Sequence, residues 1–171
     1  YFTVVSPDVG GAKRGELYVQ LLEEYAASAN TRVEVEMAVI YKRRKGPTQI
    51  EVPWVTGGHA IKGRDVVIVD DILGTGGTAH EAGLKCRQLG ARRVALAATH
   101  AECSQEAWHK LGTEVFDNVF ITNSLPVERL SQPLSLHWRV ISVAPLLAEA
   151  IKEIVLYGSV SNLEKRRPGK L

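Results

Sequence analysis

The chain has 171 residues, 45% of them hydrophobic, and its 21 Lys and Arg against 19 Asp and Glu leave a formal net charge of +2. That balance excludes a disordered polyelectrolyte and gives no charge-based reason to invoke nucleic acid. No apolar run is long enough to span a membrane. One domain of this length buries roughly 70% of its unfolded surface. Cys86 and Cys103 are the two cysteines, so reduced thiols and a cytoplasmic setting are expected.

The first element is a short strand from Tyr1 to Ser6, followed by the turn Ser6-Pro7-Asp8-Val9-Gly10-Gly11. Because the chain enters this strand at once, without a methionine, it reads as a fragment or processed piece. A helix is predicted from Ala12 to about Ser28. Ala12, Val19, Leu22, Ala26 and Ala29 share one face, while Lys13, Arg14, Glu16, Glu23 and Glu24 lie largely off it. Val33 to Tyr41 reads as a second strand, broken by Lys42-Arg43-Arg44-Lys45-Gly46-Pro47. On charge alone these four cations are a solvated loop. If the first two strands are parallel, however, the loop leaves the sheet at the same end as the Asp8 turn. Mutual repulsion and the Gly-Pro ending predict that it is mobile without nucleotide. Ile50 to Val55 reads as a further short strand, and Thr56-Gly57-Gly58 and Lys62-Gly63-Arg64-Asp65 as turns.

The central stretch is Val66-Val67-Ile68-Val69-Asp70-Asp71-Ile72-Leu73-Gly74-Thr75-Gly76-Gly77-Thr78. Its first five residues suit a strand buried on both faces and ending at Asp70. The small-residue loop lets backbone amides curl around one point. Thr78 to Glu81 has capping-box spacing, and Ala79, Ala82, Gly83, Cys86 and Leu89 form an apolar helical stripe ending at Gly90. Free amides at a helix start make a phosphate seat. Many such turns bind nothing, but an acid pair at the end of a buried strand is rarer, because buried carboxylates are unfavourable unless they are used. Beside a phosphate seat, two carboxylates suit a sugar phosphate: they accept hydroxyl hydrogen bonds and can hold hydrated Mg²⁺.

Beyond Gly90, Arg93 to Ala98 reads as a strand ending in Thr99-His100, Ser104 to Leu111 as a short helix and Val115 to Ile121 as a strand. Thr122 to Pro126 is a turn, Trp138 to Val143 the last strand, and Pro145 suits the first turn of a helix whose stripe is Leu147, Ala150, Ile151 and Ile154. The domain is expected over residues 1–157, with 158–171 as a tail whose basic end is solvated. Alternating strands and helices predict an α/β fold with a mostly parallel central sheet flanked by helices. Ligands of such sheets sit beyond the carboxyl ends of the strands. Asp8, Lys42, Asp70 and His100 each follow a predicted strand, so one cleft can hold them. His100 reads as structural more readily than as a base. The scattered histidines propose no zinc site, and Trp54, Trp108 and Trp138 read as packing or interface residues rather than stacking platforms.

The central stretch resembles the phosphoribosyl-pyrophosphate motif of type I phosphoribosyltransferases and ribose-phosphate pyrophosphokinases. Taken with Val5-Ser6-Pro7-Asp8-Val9-Gly10-Gly11-Ala12-Lys13-Arg14, Lys42-Arg43-Arg44, Ala98-Thr99-His100, Thr122-Asn123-Ser124-Leu125-Pro126, Leu147-Ala148-Glu149-Ala150-Ile151 and Gly158-Ser159-Val160-Ser161, nearly the whole chain resembles the C-terminal domain of the pyrophosphokinases. The fold implied is of the phosphoribosyltransferase type I kind. The implied reaction moves the β,γ-diphosphate of ATP to the anomeric oxygen of ribose 5-phosphate, giving phosphoribosyl pyrophosphate and AMP.

The resemblance also implies roles. Gly74, Thr75, Gly76, Gly77 and Thr78 would cradle the 5-phosphate. Asp70 and Asp71 would hold ribose hydroxyls, partly through Mg²⁺, and Asp8 matches an aspartate of the metal and ribose site. Lys42 and Arg44 match loop cations that stabilise charge during transfer. Gly74 stands where the family usually carries an aspartate or a hydroxyl residue, so only its backbone N–H remains there. The family also places a similar N-terminal domain before this one, which supplies part of the ATP site, and its members form homo-oligomers. Two other readings stay open: a non-catalytic sugar-phosphate binder that regulates a synthetase, and a phosphoribosyltransferase that uses the pyrophosphate to modify a base. The latter needs a base-recognising hood that no segment clearly supplies.

Overall fold

A computed structural model describes residues 1–41, 54–127 and 137–164. Its elements are β1 (Phe2–Ser6), α1 (Ala12–Ser28), β2 (Val35–Tyr41), β3 (Trp54–Thr56), β4 (Asp65–Leu73), α2 (Gly77–Gln88), β5 (Arg93–Ala101), α3 (Gln105–Lys110), β6 (Asn118–Thr122), β7 (Trp138–Ile141), α4 (Ala144–Val155) and α5 (Ser161–Glu164). The strands form one sheet in the order β3-β2-β1-β4-β5-β6-β7. Every pairing is parallel except β2 with β3. The α/β architecture expected from the alternating elements is therefore present, with an antiparallel strand at one edge.

Strand alternation explains how the helices attach. Val4 and Val69 are buried in a cluster with Tyr18, Val19 and Leu22 of α1. Val5, Val66, Ile68, Val94 and Leu96 point the other way and pack with Ala79, Ala82 and Cys86 of α2. The predicted α2 stripe is thus the buried one. Gly83 lies within it because a Cβ there would collide with Val115 and Phe116. That packing also explains a difference from expectation. Val115 and Phe116 do not begin β6 but are buried against α2, and the strand starts at Asn118.

Two other boundaries move. β4 does not end at Asp70: Ile72 pairs with His100 and Leu73 with Ala101, so the neighbouring strand carries both β4 and β5 further than their own propensities suggest. Of the strand predicted from Ile50 to Val55, Trp54 and Val55 fall in β3, which runs through Thr56, and residues 50–53 lie outside the described residues. Lys42 and Arg44 lie outside the described residues, as does the loop predicted to be mobile.

At the amino end of β4, Asp65 is buried and accepts a bidentate pair of hydrogen bonds from Arg92, both 2.7 Å, and a third from Arg93 at 2.5 Å. These guanidiniums hold its carboxyl well below the usual carboxylate range. Trp108 and Trp138 pack with ring centroids 4.5 Å apart, consistent with packing roles. Both cysteines are free and buried, and burial raises the Cys86 thiol to about 12 and that of Cys103 to about 11. No described residue of α4 is buried; Leu147, Ile151, Ile154 and Val155 are each more than half exposed. Among the described residues, no helix is long and apolar enough to cross a membrane.

Candidate functional site

The carboxyl ends of β1 and β4 open into one cavity of about 270 Å³. It is lined by Asp8 after β1, by Asp70, Asp71, Ile72 and Leu73 of β4, by the loop 74–76, and by Gly77, Thr78 and Ala79 of α2. The residues predicted as a phosphate cradle and acid pair therefore share a single wall-to-wall site with Asp8. His100 does not join it. Its Nδ1 lies 2.9 Å from Ser124 Oγ, and Ser124 Oγ donates to Thr99 O at 2.9 Å. The Thr122-Asn123-Ser124 turn thus ties β6 to β5, and His100 belongs to that tie.

Each part is held by its own local chemistry. Asp8 Oδ1 accepts the Gly11 N–H at 2.8 Å and Ser6 Oγ donates to Asp8 O at 2.7 Å, which closes the turn over the start of α1. Gly76 is the N-cap of α2, at φ +71°. Thr78 is not the N-cap that the expected Thr78–Glu81 capping box requires, because the helix starts at Gly77 with Gly76 as its N-cap and no side-chain cap hydrogen bond from that residue. Gly77, Thr78 and Ala79 of the first turn line the cavity, where free helix-start amides can take an anion. Gly76 is also required sterically: a Cβ would lie 3.3 Å from both Ala107 Cα and Leu111 Cγ of the neighbouring α3 segment.

Further contacts fasten α3 to the loop. Cys103 N–H donates to Leu73 O at 2.8 Å and Ser104 N–H to Gly74 O at 3.1 Å. His80 Nδ1 lies 2.6 Å from Lys110 O. Lys110 Nζ pairs with Glu106 Oε1 at 2.5 Å across one helical turn; an exposed pair of this spacing contributes about 0.3–0.5 kcal/mol.

One residue at the acid pair was missed by sequence reasoning. Arg14 of α1 reaches across to donate from Nη2 to Asp71 Oδ2 at 2.6 Å and from Nη1 to Asp70 Oδ1 at 3.4 Å. Its position off the apolar face of α1 was visible in the sequence, but its partner was not. Burial pushes Asp70 up to about 6, and the adjacent Asp71 carboxylate adds to the effect. Asp71 is held below its ordinary value by the hydrogen bond with Asp70 and by the Arg14 charge. A raised and a lowered acid side by side form a site that can accept hydroxyl hydrogen bonds and that takes up a proton at mildly acidic pH.

Mg²⁺ is the metal implied by the resemblance, and the donor set suits it. Asp8, Asp70 and Asp71 offer hard carboxylate oxygens to one cavity. Among the described residues no group of three or more His, Cys, Asp or Glu is placed to hold a metal ion by itself. Mg²⁺ ordinarily keeps several waters and takes one or two carboxylates plus substrate oxygens, so an open acidic wall is the appropriate fit.

Comparison with known proteins follows the same line. Residues 2–129 match the family model described as the phosphoribosyl transferase domain, and the chain belongs to that family. Within it, the chain is similar to the ribose-phosphate pyrophosphokinases. It is 36% identical over 162 residues to that of Gloeobacter violaceus, covering 94% of this chain and 44% of the relative. It is 35% identical over 158 residues to that of Pasteurella multocida, covering 92% and 46%. The chain therefore spans about half the length of these curated relatives. Among solved structures, the phosphoribosylpyrophosphate synthetase from Mycobacterium smegmatis superimposes with a TM-score of 0.69 at 32% identity, over 92% of this chain and 46% of that one.

Proposed function

We propose that the chain is the ribose 5-phosphate-binding half of a ribose-phosphate pyrophosphokinase. The observation that carries this reading is the convergence of an acid pair and an uncapped helix start on one cavity. The amides of Thr75 to Thr78 receive the 5-phosphate, with Gly74 contributing its backbone N–H. Asp70 and Asp71 accept the ribose hydroxyls, displacing part of the Arg14 contact. Asp8 and the acid pair are the residues that would hold Mg²⁺, together with substrate oxygens and water, and the ion would supply charge neutralisation to phosphate oxygens. In the transfer, the anomeric oxygen bonds to the β-phosphorus of ATP as the bond from that phosphorus to the AMP oxygen breaks. Lys42 and Arg44 stabilise the charge on the moving diphosphate, since such transfers depend on positioning and electrostatics.

A second reading, a non-catalytic sugar-phosphate binder, draws support from Gly74, where a side chain would meet open space and none is present. Both readings place ribose 5-phosphate in the same cavity. Calorimetry of the 171-residue chain with ribose 5-phosphate and Mg²⁺, paired with an AMP-release assay using ATP, tests the proposal. Binding with almost no AMP release is expected, because much of the nucleotide site belongs to the half of the relatives that this chain does not span. Absence of ribose 5-phosphate binding overturns the sugar-phosphate reading, and robust AMP release overturns the assignment as a half-enzyme. Upstream coding sequence joined to this chain, assayed for AMP release, separates the synthetase from the binder.

A further inference from the structure

We propose that Lys110 is a further binding residue of the phosphate seat, held by Glu106 while the seat is empty, and that it selects the phosphorylated sugar over the free one. The inference rests on the sugar-phosphate reading and adds a residue that neither the motif nor the resemblance assigns. Lys110 is distant in sequence from the loop, yet a methyl group placed on Gly77 would lie 3.8 Å from Lys110 Nζ and 3.7 Å from Thr75 Oγ1. The ammonium and the hydroxyl thus converge on the first residue of α2, which lines the cavity.

The placement is fixed by the fold. His80, in the first turn of α2, contacts the Lys110 carbonyl at 2.6 Å, and Ala107 packs against Gly76. Ser104 is hydrogen-bonded to Gly74. The last turn of α3 therefore cannot drift from the loop, while the side chain of Lys110, about one-third exposed, can rotate. Its present partner is a single exposed carboxylate one turn away, a weak pair that solvent screens. A phosphate dianion seated on the loop amides presents two negative charges in place of one, and several oxygens rather than two. Rotation of the ammonium from Glu106 to that dianion is electrostatically downhill, and it leaves Glu106 solvated rather than buried. The free sugar offers no such charge, so the gain applies only to the phosphorylated ligand.

The test follows amide chemical shifts of Thr75 to Thr78 in the 171-residue chain during titration with inorganic phosphate and with ribose 5-phosphate. It compares wild type, Lys110→Met, Lys110→Arg and Glu106→Gln, with thermal melts to confirm that each is folded. Lys110→Met is expected to weaken both ligands roughly tenfold, as for loss of one charge-assisted contact. Its remaining affinity should depend less on salt. Lys110→Arg should recover most of the loss, and Glu106→Gln should tighten both ligands by freeing the ammonium. Equal affinity of Lys110→Met and wild type overturns the inference while leaving the sugar-phosphate reading intact. Weaker binding by Glu106→Gln also overturns it, since the pair would then be a strut for the loop. If wild type shows no shift at Thr75 to Thr78 with either ligand, both the reading and the inference fall.

Discussion

Arg14 Nη2 lies 2.6 Å from Asp71 Oδ2, joining α1 to the end of β4 across 57 residues of sequence. The same guanidinium reaches Asp70, so one cation serves two adjacent carboxylates. All three side chains retain some exposure, which limits the contribution to stability. Replacing Arg14 with Met is expected to lower the unfolding free energy by up to about 1 kcal/mol. The loss should largely vanish in a background where Asp70 and Asp71 are both Asn, because the interaction partner is then gone. Urea unfolding of the four proteins checks this; a loss that persists in the Asn background would assign Arg14 to packing instead.

Asp70 gives a pH signature. Its raised value means that the folded chain holds the proton more tightly than the unfolded chain does. Stability from this group is therefore complete at low pH and declines as pH rises from the ordinary carboxylate range through about 6. Asp70→Asn removes the decline. The variant should gain on wild type by roughly 1–3 kcal/mol between acid and neutral pH. With Mg²⁺ and ribose 5-phosphate present the order should reverse, since the ionised acid is then used. Urea melts across this range, with and without ligand, measure both effects. A constant difference at all pH values would contradict the assigned titration.

Gly74 and Gly76 should respond oppositely to alanine. A Cβ at Gly74 meets nothing within 4 Å, and its φ is not in the left-handed region. Gly74→Ala should stabilise by about 0.4–1 kcal/mol through the unfolded state. Gly76, at φ +71° and tight against Ala107 and Leu111, should lose more than about 1 kcal/mol on the same change. Thermal melts decide it. Gly74→Asp also has room, and in a catalytically complete protein it tests whether the missing side chain limits turnover.

Lys42 carries a kinetic prediction. In a protein that also holds the other half of the relatives' length, Lys42→Ala should reduce kcat much more than it weakens ribose 5-phosphate binding. In the proposed reaction its charge would act on the diphosphate in transit. Asp70→Asn should weaken the sugar first. Steady-state AMP release with calorimetry of ribose 5-phosphate separates the two, and unchanged turnover of Lys42→Ala removes that residue from the mechanism.

The loop and its flanking elements were legible because their signals are local. Val66 to Val69 is a run of β-branched residues, and Ala79, Ala82, Gly83 and Cys86 repeat at helical spacing and are buried. What failed was set by distant neighbours. The extension of β4 through Ile72 and Leu73 depends on pairing with His100 and Ala101. The Thr78 cap lost to a left-handed Gly76 that lets α2 begin earlier. The counter-ion of the acid pair came from α1, and no spacing rule connects residue 14 with residue 71. Fold class survives such errors because it needs only the alternation of elements, whereas a site is made of contacts between them.

β4 begins on one aspartate and carries another, Asp70, three residues before its end, and the two will leave different marks in a mutational survey. Asp65 is saturated by Arg92 and Arg93 at the end away from the cavity. Asp65→Asn should lower stability at neutral pH, and the deficit should shrink as pH falls because wild type itself loses the ion pair on protonation. Its substitutions should therefore reduce the amount of protein in a cell, and lower growth temperature or added chaperone should rescue them. Asp70, by contrast, is held in a state that is unfavourable for folding. Its substitutions should leave abundance equal or higher while sugar binding is lost, and no chaperone should restore it. Across one strand of nine residues, the same amino acid would look equally intolerant in a growth screen. A parallel measurement of protein level would separate the acid that keeps the chain folded from the acid proposed to serve the ligand.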